Sequence, residues 1–183
     1  GGGIIGCSVA WQLSKLGKKV LIVERTDIAS GSAGATDGVV GYHTKKPGPQ
    51  LDLAVQSIEM FKTLNEELGM DVENLYEFLN VEYGLEAGGM QPVEDKEQWD
   101  MLSAMAEEQR KSGVDIRMIS AREACQIEPN LNPDIYGALY SPTGGKVNPL
   151  ALTVAFSRAA KKLGAEIMTN TEVTGFIIEE GRA

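Results

Sequence analysis

Three glycines at the start of the chain have a spacing that suits phosphate binding. Gly1, Gly3 and Gly6 form the pattern G-x-G-x-x-G, with Ile4 and Ile5 between the last two. In such a loop one glycine makes a tight turn, one lets the backbone approach a pyrophosphate, and one allows close helix packing. The amphipathic stretch that follows predicts a helix whose free amides and positive end would hold the anion. The sequence therefore predicts a dinucleotide site in this loop.

The segment after this loop supplies the second part of such a site. Residues 20–23 form a continuous apolar run typical of a buried parallel strand, and the run ends at Glu24. An acid about 20 residues after the glycines can accept hydrogen bonds from a ribose 2′-hydroxyl. A chance cluster is the alternative in a chain with 21 glycines. No strand precedes the motif as the fold requires, so we expect a sequence cut short at both ends.

A loop rich in glycine, serine and alanine follows at residues 27–38. Together with Glu24 and Arg25, residues 28–34 resemble the second flavin signature of the D-amino-acid oxidase superfamily, which includes glycine, sarcosine and proline oxidases or dehydrogenases. The resemblance implies FAD, with small residues and serine donors beside its pyrophosphate and isoalloxazine. A mobile surface loop is the alternative. The residues assigned to the cofactor here are Ser30, Gly31, Ser32, Ala33 and Gly34.

The same resemblance extends to the end of the chain, through residues 42–48, 127–131, 137–142, 144–149 and 171–175. It implies an α/β, Rossmann-like FAD-binding domain with a parallel sheet, formed by residues 1–46 and 142–183. Residues 47–141 would begin an α+β substrate domain, and the backbone at Val173 would meet the adenine. The family's main substrate sheet and its C-terminal glycine-rich segment are absent, so we expect roughly half of a full-length enzyme.

Hydrophobic periodicity and capping patterns predict the remaining elements. Helices are expected over residues 51–68, 94–112 and 148–163, the last capped by Asn148 with Pro149 in its first turn. Ser120 and Glu123 form a capping box that opens another helix. Strands are expected over residues 18–24, 76–93, 114–119, 166–169 and 173–178, with a hairpin turn starting at 179. Residues 129–142 are expected to be irregular.

The resemblance also implies the chemistry of the whole enzyme. In this family a hydride passes to the flavin from the carbon next to the nitrogen of an amino acid or secondary amine, and O2 or an electron carrier is the oxidant. His43 and Lys45, close after the flavin loop, are lesser candidates for facing the isoalloxazine. Other catalytic residues are expected outside this chain, which could also be a subunit of a hetero-oligomeric dehydrogenase. A nicotinamide-dependent dehydrogenase and a non-catalytic nucleotide-binding module stay open as alternatives.

Composition narrows the possible partners. The 17 Lys and Arg residues against 26 Asp and Glu give a net charge of −9, which disfavours nucleic acids and anionic membrane surfaces. With one histidine, and with Cys7 and Cys125 far apart, we expect neither a metal site nor a disulfide framework. No apolar run reaches the length of a membrane span and no signal peptide is recognisable, so the cytoplasm is the expected location.

Overall fold

The computed structural model describes residues 1–68 and 88–178 of the chain. They belong to two units. The first takes its described residues from Gly1–Gly38, Asn65–Val81 and Asn148–Ala183, and the second from Val39–Leu64 and Glu82–Val147. The domain boundaries that the sequence suggests, near residues 46 and 141, concern the whole enzyme and stay a prediction.

The described elements alternate between helix and strand along most of the chain. The helices are α1 (Ile4–Lys15), α2 (Pro49–Leu68), α3 (Lys96–Lys111), α4 (Ala121–Ile127) and α5 (Pro149–Lys162), with a 3-10 helix at Ser32–Ala35. The strands are β1 (Leu21–Val23), β2 (Val39–Val40), β3 (Gly89–Val93), β4 (Arg117–Ser120), β5 (Gly137–Ser141), β6 (Gly145–Lys146) and β7 (Glu166–Met168).

The first unit contains two helices that pack against each other and a parallel pair of strands. β1 pairs with β7, so that Leu21 lies opposite Glu166 and Val23 opposite Met168. This confirms the parallel pairing expected of the apolar run, although β1 is shorter than the predicted strand. α1 and α5 pack against each other, with the rings of Trp11 and Phe156 centred 5.4 Å apart. Small buried side chains on α5 let the two helices approach closely: Ala151, Ala155, Ala159 and Ala160. This packing fixes α1 and, with it, the glycine loop at its start.

In the second unit, helices pack on a three-stranded antiparallel sheet of order β3-β5-β4. The core contains fully buried side chains from helix and strand alike, among them Leu51, Val93, Ala106, Ile116 and Leu139. A separate antiparallel pair joins β2 to β6. The central strand is β5, which pairs with β3 over residues 137–141 and with β4 over residues 137–140.

That central strand corrects the expectation that residues 129–142 are irregular. β5 has the sequence Gly-Ala-Leu-Tyr-Ser and contains no β-branched residue, so its local strand signal is weak apart from Tyr140. Its neighbours explain the composition. A Cβ on Gly137 would overlap the ring of Trp99 and lie 2.7 Å from the Ile119 carbonyl oxygen. Glycine is therefore required at the start of β5, where the strand passes beneath Trp99.

The helix starts predicted from capping residues are confirmed. Asn148 accepts hydrogen bonds from the amides of Leu150 and Ala151, each at 3.1 Å. In the capping box, the Ser120 hydroxyl accepts from the Glu123 amide and the Glu123 carboxylate accepts from the Ser120 amide. These contacts lie within one turn of chain, which is why the local sequence is sufficient to predict them.

The strands predicted over residues 173–178 and 76–93 are not confirmed in full. Residues 173–178 form no strand and leave Phe176 and Ile177 largely exposed, which corrects the expectation of a strand there. Of the predicted strands over residues 76–93, only β3 lies within the described residues, and residues 76–87 lie outside them. The predicted hairpin turn at 179 also lies outside them.

A buried glutamine holds the chain after β2. Gln109 of α3 is fully buried, and its side-chain Nε2 donates to the carbonyl oxygens of Tyr42 at 3.1 Å and Lys45 at 2.6 Å. A longer contact of 3.4 Å reaches the carbonyl of His43. One amide group thus satisfies several backbone acceptors of the same loop, which fixes the path of the backbone that carries His43 and Lys45.

We expect Gln109→Leu to lower the free energy of unfolding by about 2 kcal/mol, because the buried carbonyls of the loop lose their donor. Urea denaturation measures this change. The matched control is Gln50→Leu, since Gln50 is exposed near the start of α2; it should change stability by less than about 0.5 kcal/mol. Equal effects of the two substitutions would contradict the role given to Gln109.

Candidate cofactor-binding site

The glycine loop leaves a set of amides unused at the start of α1. Gly3 is the N-cap residue, and its carbonyl accepts the first helical bond, from Cys7 at 2.9 Å. Among the described residues, nothing accepts a hydrogen bond from the amides of Ile4, Ile5 or Gly6. These amides and the positive end of the helix dipole make this terminus suitable for an anion.

The three glycines of the motif have different surroundings. A Cβ on Gly6 would overlap the carbonyl oxygen of Gly1, so the third glycine lets the helix start against the turn of its own loop. A Cβ on Gly3 would meet no atom within 4 Å. The space beside Gly3 is therefore open for a close backbone approach by a ligand, as expected of the second glycine of the motif.

Glu24 ties the end of β1 to the glycine loop. Its Oε2 accepts a hydrogen bond from the Gly2 amide at 2.7 Å, and its Oε1 accepts from the amide and the hydroxyl of Thr26 at 3.0 and 3.1 Å. These donors, the Gly2 amide first, lower the pKa of Glu24 from 4.5 to about 2. The carboxylate is thus ionised at neutral pH, and Oε2 retains a lone pair for a ribose hydroxyl.

The loop over residues 27–38, the second loop of the site, is connected to the glycine loop by a backbone hydrogen bond. The amide of Ala29 donates to the carbonyl of Gly2 at 3.0 Å, and Ala29 adopts a φ of 64°, which is unusual for a residue with a Cβ. A 3-10 helix follows at Ser32–Ala35. Within the described residues the amides of Gly31, Ser32 and Ala33 have no hydrogen-bond acceptor. Both loops therefore present free amides in the same unit.

The structure brings some of the predicted site residues together and leaves others apart. Gly1, Gly3, Gly6, Glu24 and the loop over residues 30–34 belong to the first unit and are joined by the contacts given above. Arg25 lies beside this group, and its side chain has no ion-pair partner among the described residues. Val173 is in the same unit and 54% exposed. His43 and Lys45 belong to the second unit.

His43 is held in a narrow space inside that second unit. A Cβ on Gly89 would lie 2.6 Å from its Nδ1, and one on Gly41 would lie 3.1 Å from the same atom. Burial lowers the pKa of His43, and the positive charge of Lys45 lowers it further. The imidazole is therefore neutral at neutral pH. Its buried Nδ1 has no partner among the described residues.

Sequence reasoning missed several residues that build the site. Gly2, a variable position of the motif, donates to Glu24 and accepts from Ala29. Thr26 contributes two donors to the Glu24 carboxylate. A threonine two residues after an acid is a local signal that could have been used, because its hydroxyl and amide both reach back over such a short span. The Ala29 contact crosses between loops and has no signal in the sequence.

A dinucleotide cofactor fits the donor set of the first unit. Free amides at the start of α1 and in residues 31–33 suit a pyrophosphate, and the charged Glu24 carboxylate suits a ribose diol. The model of the family described as FAD dependent oxidoreductase (DAO) matches residues 1–183, the whole chain. The chain belongs to this family. The match confirms FAD as the cofactor expected from the second loop and decides against the nicotinamide alternative.

Known members of the FAD-dependent oxidoreductase family resemble the chain over nearly all its length. Glycine oxidase of Bacillus licheniformis is 29% identical over 191 residues, covering 99% of this chain and 47% of the oxidase. Glycerol 3-phosphate dehydrogenase of Caloramator mitchellensis is 27% identical, covering 94% of this chain and 34% of that protein. The crystal structure of L-proline dehydrogenase from P. horikoshii is 31% identical with a TM-score of 0.85, covering 98% of this chain and 45% of that one. The chain spans about half the length of these relatives or less.

Neither a metal-binding cluster nor a membrane-spanning helix is present in the described part of the chain. In residues 1–68 and 88–178, no group of at least 3 His, Cys, Asp or Glu side chains is arranged to hold a metal ion. Over the same ranges, no helix has the length and apolar character needed to cross a bilayer.

Alanine substitutions should separate the roles of two glycines in the motif. Gly6→Ala should lower the free energy of unfolding of the FAD-free protein by about 1 to 3 kcal/mol, because its Cβ overlaps the Gly1 carbonyl. Gly3→Ala should leave that stability unchanged, yet weaken FAD binding by roughly tenfold or more, because its methyl group occupies the open space. Denaturation and flavin fluorescence titration measure the two effects. Unchanged FAD binding by Gly3→Ala would contradict the assignment.

The lowered pKa of Glu24 gives a pH dependence of stability with a defined sign. The folded protein holds this proton less tightly than the unfolded chain, so the charged carboxylate stabilises the fold above pH 4.5. That contribution should decline as the pH falls through 4.5 toward 2. The measurement compares the unfolding free energies of the natural protein and Glu24→Gln from neutral to acid pH. Their difference should shrink on acidification, and a difference that stays constant or grows would contradict the assignment.

Proposed function

We propose that the whole protein oxidises the C–N bond of an amino acid or secondary amine. The observation that carries the proposal is the second flavin loop, whose residues resemble those of amine-oxidising members and whose backbone is fastened to the glycine loop through Ala29 and Gly2. Relatives named glycine oxidase and L-proline dehydrogenase support the substrate class. FAD supplies the hydride acceptor for such a reaction.

The oxidation of the substrate requires only the flavin as electron acceptor. Water is needed for the later hydrolysis, and an oxidant for the reoxidation of the flavin. The C–H bond next to nitrogen breaks and its hydride leaves with two electrons, while the nitrogen loses a proton and a C=N bond forms. Water then hydrolyses the imine. For the oxidant we propose O2 or an electron carrier, and for the location the cytoplasm. Association with other subunits is a further proposal for the whole enzyme.

Within this chain, the proposed roles are those of binding and orientation. Glu24 would accept hydrogen bonds from the ribose, and the free amides over residues 4–6 and 31–33 would bind the pyrophosphate. Val173 would meet the adenine. His43 and Lys45 remain lesser candidates for the reaction itself, and we place the groups that bind the substrate carboxylate outside this chain.

A second candidate is the oxidation of an alcohol phosphate. The relative named glycerol 3-phosphate dehydrogenase favours it, since its identity to this chain of 27% is close to the 29% of the glycine oxidase. The two candidates use the same cofactor site and lose hydride from a C–H bond in both cases. They differ in the bond that becomes double, which is C–N in one and C–O in the other.

The absorption spectrum of the whole protein tests these proposals. We expect flavin bands that are bleached, without oxygen, by at least one of a panel of glycine, sarcosine, proline and D-amino acids. Bleaching by glycerol 3-phosphate alone would contradict the amine proposal in favour of the second candidate. Flavin bands that no member of either class bleaches would favour a non-catalytic nucleotide-binding module. Dialysed protein re-loaded with FAD serves as the control for incomplete occupancy.

A further inference from the structure

In the first unit, the hydroxyls of Ser30 and Thr26 and the carboxylate of Glu24 are connected by two hydrogen bonds. The contacts determine which group is the donor in each bond. Thr26 lies 3.1 Å from Glu24, measured from its hydroxyl Oγ1 to the carboxylate Oε1. An ionised carboxylate can only accept, so the hydrogen of the Thr26 hydroxyl is donated to Glu24. Thr26 Oγ1 also lies 2.5 Å from Ser30 Oγ. Because the hydroxyl hydrogen of Thr26 is donated to Glu24, the hydroxyl of Ser30 must be the donor in the contact with Thr26.

The remaining donor of Ser30 is also used inside the protein. Its backbone amide donates to the carbonyl of Asp27 at 3.2 Å. Ser30 therefore has neither a hydroxyl hydrogen nor an amide hydrogen left for a phosphate oxygen. Ser32, two residues later, differs in both respects, because neither its hydroxyl nor its amide has a partner among the described residues.

We infer that Ser30 and Thr26 are positioning residues, which act in series to orient the Glu24 carboxylate and tie the second flavin loop to it, and that Ser30 is not a phosphate donor. This changes the role that the family resemblance gives to Ser30, that of a hydroxyl or amide donor beside the pyrophosphate. The inference rests on the proposed contact of Glu24 with the ribose.

A second contact, made by the backbone, also holds the second flavin loop in position. Ala29 precedes Ser30, is 3% exposed, and holds a φ of 64° while its amide donates to Gly2. The Gly2 amide in turn donates to the other oxygen of Glu24. The second loop thus reaches the same carboxylate by two routes, one through hydroxyl groups and one through backbone. Removal of either hydroxyl should therefore weaken the proposed contact between Glu24 and the ribose.

A double-mutant cycle on the whole protein tests the inference. Thr26→Val and Ser30→Ala should each weaken FAD binding by roughly fivefold. Because the two hydroxyls act in series, the double variant should be no weaker than the more affected single variant. Thr26→Ser keeps the hydroxyl and should retain most of the affinity. Multiplied losses in the double variant would show that Ser30 contacts the cofactor independently and would overturn the inference.

Two further variants separate this inference from the proposed site. Ser32→Ala is the matched control, since its effect should multiply with that of Thr26→Val. If Glu24→Gln leaves FAD binding unchanged, the ribose contact is wrong, and the hydroxyl chain is then tested by the Tm of the FAD-free protein alone. Non-additive changes of Tm for Thr26→Val and Ser30→Ala would support the chain. Additive changes of Tm would overturn it.

Discussion

The hydrogen bond from the Gly2 amide to Glu24 is the contact on which the cofactor site depends. It joins the glycine loop to the end of β1 over 2.7 Å and is the largest cause of the lowered pKa of Glu24. The carbonyl of the same residue accepts from Ala29, so a single residue links both loops through its two flanking peptide groups. A Cβ on Gly2 would lie 2.6 Å from the tip of the Ile28 side chain and 3.1 Å from Cγ of Glu24, so the loop packs closely on both residues at this position.

Backbone amides among the described residues give the candidate site donors that suit an anion. The free donors belong to the backbone at the start of α1 and in the second loop, where the helix dipole and unpaired amides supply partial positive charge. Packing of α1 on α5 keeps this terminus in place, with Trp11 and Phe156 at the contact. The overall acidity of the chain therefore opposes polyanionic partners while leaving a small phosphate site unaffected.

Local patterns in the sequence were sufficient where the contacts are local. The helix that starts at the glycine loop and the helix caps at Asn148 and Ser120 depend on residues a few positions apart, and the structure confirms these elements. β5 was missed because it has no β-branched residue and because its Gly137 is required by Trp99 and Ile119, which are distant in the chain. The link from Ala29 to Gly2 and the direction of the Ser30 hydroxyl depend on three-dimensional contacts, which no spacing rule describes. The family resemblance supplied the choice of flavin over nicotinamide, which the glycine motif by itself left open.

The central claim is that Glu24 and the two loops form one FAD site. A crystal structure of the whole protein with FAD bound tests it most directly, through the distances from the ribose hydroxyls to the Glu24 carboxylate and from the pyrophosphate to the backbone of Gly3. The account predicts a ribose hydroxyl within about 3.2 Å of Glu24 Oε2 and phosphate oxygens at hydrogen-bonding distance from the free amides. A ribose bound by another residue, or a pyrophosphate away from the glycine loop, would contradict it.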